Sequence, residues 1–217
     1  MPARVSEAFV LRTYPFQEGD LIVSFFTRDQ GKLRGVAKRA RKPKSPYGSA
    51  LERLSQVRIT YYQRENVELV RLDNAELIQT QFGLSSSYDA GLALDYIAEV
   101  TEHLLPPSEP NERFYRLTSA VLADLRSCPS EMLPSATWRA AIYFAYWAVR
   151  LTGILPELPV SEASRELAFE ISTTPVAELG RYPWSKMFAS DLRRALNREI
   201  EMHVERKLLT VPLMEAL

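Results

Sequence analysis

A single cysteine, Cys128, among 217 residues leaves nothing for an intramolecular disulfide to join. It also excludes a multi-cysteine zinc site and fits a reducing compartment. The thiol is expected to be buried and inert. Equally absent are Gly-x-Gly-x-x-Gly, Gly-x-x-x-x-Gly-Lys-Ser/Thr, Gly-x-Ser-x-Gly and His-Glu-x-x-His, so the common nucleotide-binding and hydrolytic constellations are not written here. His103 and His203 are isolated from any cysteine or acid cluster that would make a metal site; no catalytic residue, metal or cofactor is expected. No apolar run reaches about 18 residues, and the opening MPARVSEAFVL lacks the apolar core of a signal peptide. These absences predict a soluble, cytoplasmic binding protein and not an enzyme.

What is present is segregated charge. The chain is neutral overall, with 27 basic and 27 acidic residues. Residues 1–80 carry a net +5, residues 81–180 a net −7 and residues 181–217 a net +2. Such asymmetry points to an anionic partner for the N-terminal part. Between Arg28 and Arg58, ten basic residues face only Asp29 and Glu52.

From Arg4 to about Leu77 the apolar pattern has period two, which predicts strands at roughly 4–14, 20–28, 31–40, 55–63 and 67–78. Their connections fall at Glu18-Gly19-Asp20, at Asp29-Gln30-Gly31, over 41–54 and at Arg64-Glu65-Asn66. Five short strands with one long excursion describe a closed barrel of the OB type, with a short helix expected at Gly48–Leu54. An SH3-like barrel is the competing all-β reading.

After Gln79 the spacing becomes helical. The expected fold is therefore α+β in two domains: an OB-fold nucleic-acid-binding domain at 1–80 and an all-α helical domain at 81–217. Helices are predicted at about 88–105, from a cap at Ser108 or Asn111 to Cys128, along the stripe Trp138, Ala141, Ile142, Ala145, Val149 up to Gly153, and from about Ser185 to Lys207. The proline-bearing segment 154–182 suggests short helices at best.

Lysine and arginine neutralise phosphates and release condensed counterions, a gain independent of base sequence. Lys32, Arg34 and Lys38 share one parity of the third strand, Arg39 lies on the other, and Arg41, Lys42 and Lys44 continue into the loop. These seven are the candidate DNA contacts. A solubilising edge strand would explain some of the charge, yet seven cations in thirteen residues favour phosphate binding. Tyr47, inside the basic loop, is the candidate for stacking on a base. Arg193, Arg194 and Arg198 on the last helix could add a second contact, although a solvated face laced with Glu199, Glu201 and Glu205 accounts for them equally well. Tyr143, Phe144, Tyr146 and Trp147 make the central helix aromatic beyond one stripe, as a buried helix or a groove for a partner's tail would be.

The order of these features resembles a known family. The stretch EAFVLRTYPFQEGDLIVSFFTRDQGKLRGVAKRARKPKS, residues 7–45, is similar to the N-terminal barrel of the RecO family of bacterial DNA repair proteins, with Arg39 where a glycine is usual. Beyond residue 80 the likeness rests on helical content, Leu151–Leu158 and a final helix carrying His203. Many relatives place a four-cysteine zinc module after the Leu-Pro-x-Leu stretch; Pro159–Leu179 holds no cysteine, so a metal-free variant is expected. The resemblance implies a recombination mediator that binds single- and double-stranded DNA, anneals complementary strands, works with RecR, contacts the tail of single-strand binding protein and helps load RecA. An RNA-binding OB protein and a non-catalytic adaptor using the basic loop on an acidic protein are the alternatives.

Overall fold

The computed structural model describes residues 2–64, 67–156, 158–179 and 184–215. The turn expected at Arg64-Glu65-Asn66 and parts of segment 154–182 thus fall partly outside the described residues. Residues 1–83 with 101–115 form one compact unit, and residues 84–100 with 116–217 form a second.

The first unit is built on β1 (Arg4–Phe16), β2 (Asp20–Thr27), β3 (Gly31–Ala37), β4 (Gln56–Tyr62) and β5 (Leu69–Gln79). They close into a barrel in the order β1-β2-β3-β5-β4. Four of the five contacts around the ring are antiparallel, and β3 runs parallel to β5. The OB reading is therefore correct. Alternation sets the inside: Ala8, Val10, Val23, Phe25, Leu33, Ala37, Val57, Ile59, Tyr61, Val70 and Leu72 fill the interior. Gly35 is required at the crossing of the walls, where a Cβ would come within 2.8 Å of Val70 and 3.1 Å of Phe25.

The adjacent aromatics take opposite faces, as period two demands. Phe25 points inward, whereas Phe26 points out and is covered by Phe114 and Tyr115, at centroid distances of 5.9 and 5.8 Å. Phe9 beside it meets Tyr115 at 4.8 Å. Residues 101–115 thus form a lid over one flank of the barrel wall. Gly31 (φ +71°) is pressed against this segment so closely that a Cβ would collide with the Glu109 backbone.

The excursion between β3 and β4 holds successive turns and not the expected helix at Gly48–Leu54. Tyr47, Ala50 and Leu51 plug it into the barrel core instead. Burial of these side chains replaces helical hydrogen bonding as the ordering force.

Helices follow: α1 (Phe82–Ser85), α2 (Tyr88–Leu104), α3 (Glu112–Ser127), α4 (Leu133–Leu151), α5 (Glu162–Thr173), α6 (Val176–Leu179), α7 (Lys186–His203) and α8 (Val211–Glu215). Asn111 caps α3, its Oδ1 accepting from the Phe114 amide at 3.0 Å. In the second unit α4 is buried nearly all round, with Ala140, Ile142, Phe144, Ala145, Ala148 and Val149 fully enclosed. Gly153 (φ +76°) ends α4 as expected: its amide reaches the Arg150 carbonyl and that of Ile154 the Val149 carbonyl, a Schellman closure. The segment expected to hold short helices at best contains the three-turn α5, capped by Ser161 Oγ on the Ser164 amide. Glu99 accepts the amides of Leu209 and Thr210 at 2.7 and 2.9 Å, pinning the C-terminal stretch to α2. Among the described residues no helix is long and apolar enough to cross a membrane.

Candidate nucleic-acid interface

The alternation of β3 turns Lys32, Arg34 and Val36 outward. Barrel closure pairs β3 on both sides, so an edge-protecting role for its cations has no edge to protect. Two of those cations are already engaged. Arg34 Nη2 lies 2.8 Å from Glu102 Oε1, and the Glu102 side chain is only 2% exposed. Ser24 Oγ donates to the other carboxylate oxygen at 2.5 Å, and Lys32 Nζ donates to the Glu102 carbonyl. Hydrogen bonding to Glu102 pushes the Arg34 guanidinium above its ordinary value, while burial pulls the Lys32 ammonium below its own. These two side chains seat residues 101–115 on the barrel.

The rest of the basic cluster is arranged differently. Lys38, Arg39, Arg41, Lys42 and Lys44 follow the strand and are all exposed. Among the described residues none of them forms an ion pair with a carboxylate. The loop is nevertheless fixed. Asp20 Oδ1 accepts the Arg39 amide at 2.7 Å, and the Gly19 carbonyl accepts the Arg41 amide at 3.0 Å. Arg39 adopts φ +59°, a left-handed conformation that favours glycine.

Tyr47 is not a stacking residue in this arrangement. It is 5% exposed, and its hydroxyl donates to the Leu72 carbonyl at 3.1 Å; burial pushes its phenol upward. A ring enclosed in the core has no face for a base. Arg193 is likewise buried at 6% exposure, with Nη1 donating to the Met214 carbonyl at 2.6 Å, so it serves the second unit's interior. Arg194 and Arg198 of the same helix are exposed; the side chain of Lys186 lies outside the described residues. Tyr143, Phe144 and Tyr146 are buried, and only Trp147 of that aromatic group is partly open, with the Arg150 guanidinium 5.1 Å from its ring centroid.

Beside the basic loop the barrel has an open groove of about 690 Å³, lined among others by Phe16, Val36, Lys38, Tyr62, Arg64 and Arg71. Among the described residues of its lining Asp20 is the one acid, and it already holds the Arg39 amide. The β1–β2 turn and the β4–β5 connection both border it, the position at which OB barrels take oligonucleotides. Sequence reasoning missed this groove because its residues come from the ends of different strands. The one available signal was parity: with Tyr61 inward, Tyr62 has to face out.

Pro159–Leu179 holds no cysteine, and among the described residues no group of three His, Cys, Asp or Glu is placed to hold a metal ion.

Residues 1–81 match the family described as Recombination protein O N terminal, and residues 85–166 match Recombination protein O C terminal. The DNA repair protein RecO of Koribacter versatilis (strain Ellin345) is 38% identical over 98% of this chain and 98% of its own length. The chain belongs to the RecO family. The Koribacter alignment spans 246 positions, so that RecO protein carries residues with no counterpart among the 217 here. The RecO protein of Pelotomaculum thermopropionicum is 25% identical over 94% of this chain and 90% of its own. That of Syntrophotalea carbinolica is 34% identical, but over 54% of this chain and 45% of its own. The family assignment and the barrel agree: the matched N-terminal region ends two residues after β5.

Proposed function

We propose that this chain is a non-catalytic, DNA-binding recombination mediator that anneals complementary strands in recombinational repair. The observation that carries the reading is the set of five exposed cations, Lys38, Arg39, Arg41, Lys42 and Lys44, on a loop tied down by Asp20 and Gly19. Contacts of that kind hold phosphates without reading sequence. They screen the repulsion between two backbones while the bases stay free to pair, which is what annealing needs. In this reading residues 1–80 form the DNA-binding domain and 81–217 the helical domain. RecR, the tail of single-strand binding protein and the RecA pathway are the partners that membership of the RecO family suggests, and the cytoplasm is where they would meet.

The test is annealing of complementary oligonucleotides, naked and coated with single-strand binding protein, followed by fluorescence. Faster pairing on both substrates is the expected result. No acceleration, together with no binding to an oligonucleotide at low salt, rejects the reading.

A further inference from the structure

One enclosed glutamate serves two cations of β3. Glu102 Oε1 accepts from the Arg34 guanidinium at 2.8 Å, its Oε2 accepts from the Ser24 hydroxyl at 2.5 Å, and its backbone carbonyl accepts from the Lys32 ammonium. Ser24 and Arg34 are register partners on β2 and β3, so a single carboxylate bridges the two strands. The charges do not balance. Two cations share one carboxylate, and among the described residues Lys32 forms no ion pair of its own. Glu102 is shut away from water, whereas 54% of the Arg34 side chain remains open to it.

The backbone is attached at the same place. The Ser108 amide donates to the Lys32 carbonyl at 2.8 Å, Pro107 forms a parallel bridge with Lys32, and Gly31 admits the Glu109 backbone where a Cβ would collide. Residues 101–115 therefore rest on β3, within one compact unit, through two of the seven cations of the basic stretch. A guanidinium takes a carboxylate and a phosphate through the same N–H donors. For Arg34 and Lys32 the chain supplies the anion itself. The open side of Arg34, in a cluster with one positive charge in excess, is where an outside anion meets the pair.

We infer that Glu102 is an internal competitor of phosphate: it holds Arg34 and Lys32 in reserve, and a polyanion that takes those two cations loosens residues 101–115 from the barrel. This rests on the nucleic-acid reading above and adds to it an autoinhibitory contact. Capture then has two stages. The exposed cations from Lys38 to Lys44 engage first, with the fold undisturbed; Arg34 and Lys32 join when a phosphate displaces the carboxylate. Because the same two side chains cannot serve both anions, the coupling is reciprocal. Fastening the segment weakens capture, and capture unfastens the segment by the same factor.

The experiment titrates the full chain with a short hairpin duplex, followed by fluorescence anisotropy. Glu102→Gln keeps the shape and reach of the side chain and removes its charge. The exposed Glu109 of the same segment provides the control, since Glu109→Gln changes the net charge equally without touching Arg34 or Lys32. Glu102→Gln is expected to bind roughly 5- to 150-fold more tightly than wild type, and Glu109→Gln within about 2-fold of it. The gain should vanish when Glu102→Gln is made in an Arg34→Ala background. Equal behaviour of the two glutamine variants overturns the competition and leaves the phosphate reading standing, as does a gain that survives without Arg34. A second arm needs no variant to fold: amide hydrogen exchange in residues 101–115 of the wild-type chain should quicken when the duplex saturates it, and unchanged or slower exchange overturns the proposal. Failure of the wild-type protein to bind the duplex at low salt removes the nucleic-acid reading itself.

Discussion

Arg34 reaches from the outer face of β3 to Glu102, with 2.8 Å between Nη2 and Oε1, and the carboxylate it meets is almost fully enclosed. A buried charge that loses its partner is costly, whereas an exposed one is not. Because Arg34 itself is about half exposed, water relieves part of that cost. Replacing Arg34 with alanine should lower stability by about 1–3 kcal/mol, measured by urea unfolding. Arg41→Ala, on the exposed loop, should stay within about 0.5 kcal/mol. Equal effects of the two would remove the structural role given to Arg34.

The left-handed Arg39 supplies a second test. Arg39→Gly relieves a backbone conformation that costs a side-chain-bearing residue roughly 1 kcal/mol. A small gain in stability, about 0.5–1 kcal/mol, is expected alongside weaker DNA binding. A destabilised variant would argue that the Arg39 side chain contributes to folding.

Phosphate contact by the loop is read from salt dependence. Combining Arg39→Asn, which tolerates the left-handed backbone, with Arg41→Ala and Lys42→Ala removes three cations. The slope of log K against log salt should flatten by roughly 2–3, equally for unrelated base sequences. An unchanged slope would place the DNA elsewhere.

Alkaline pH probes the lid. Burial pushes the Tyr115 phenol up to about 12 from an ordinary 10.0. A pKa raised by folding means that the folded state keeps a proton the unfolded chain gives up. Stability from this group is therefore complete below about pH 10 and is lost as pH rises from there through about 12. Tyr115→Phe should make the decline over that window shallower, measured by urea midpoints at successive pH values; an unaltered decline would assign it to the other buried tyrosines.

On α7, two neighbouring arginines should part company. Arg193→Ala leaves the Met214 carbonyl without its donor and empties a buried site, with an expected loss of about 2–3 kcal/mol. Arg194→Ala should be nearly silent in thermal melts.

The barrel was legible because each strand has one wet and one dry face over several residues. Val57, Ile59 and Tyr61 alternate with Arg58 and Thr60 and leave no other period available. The β3–β4 excursion misled because Tyr47, Ala50, Leu51 and Leu54 have spacing compatible with a helix while tertiary burial decides their conformation. The basic side chains of β3 and this excursion could be read as a cluster, but not the engagement of Lys32 and Arg34 by Glu102, which lies 68 residues from Arg34. Helix α5 did leave a local signal in Ser161 as its cap and in Ser164, Leu167 and Ile171 as its dry stripe; the prolines around it obscured that signal.

The amides of Arg39 and Arg41 are held before any ligand arrives. If the loop is the phosphate contact proposed above, a strand landing on it would immobilise side chains and little backbone, which would keep the entropic penalty of capture low. Attachment can then rest on many shallow, interchangeable contacts that form and dissolve one at a time. In the annealing reading proposed above, a holder of that kind would let a strand creep in register beneath an incoming complement and would let go once pairing had locked the two together.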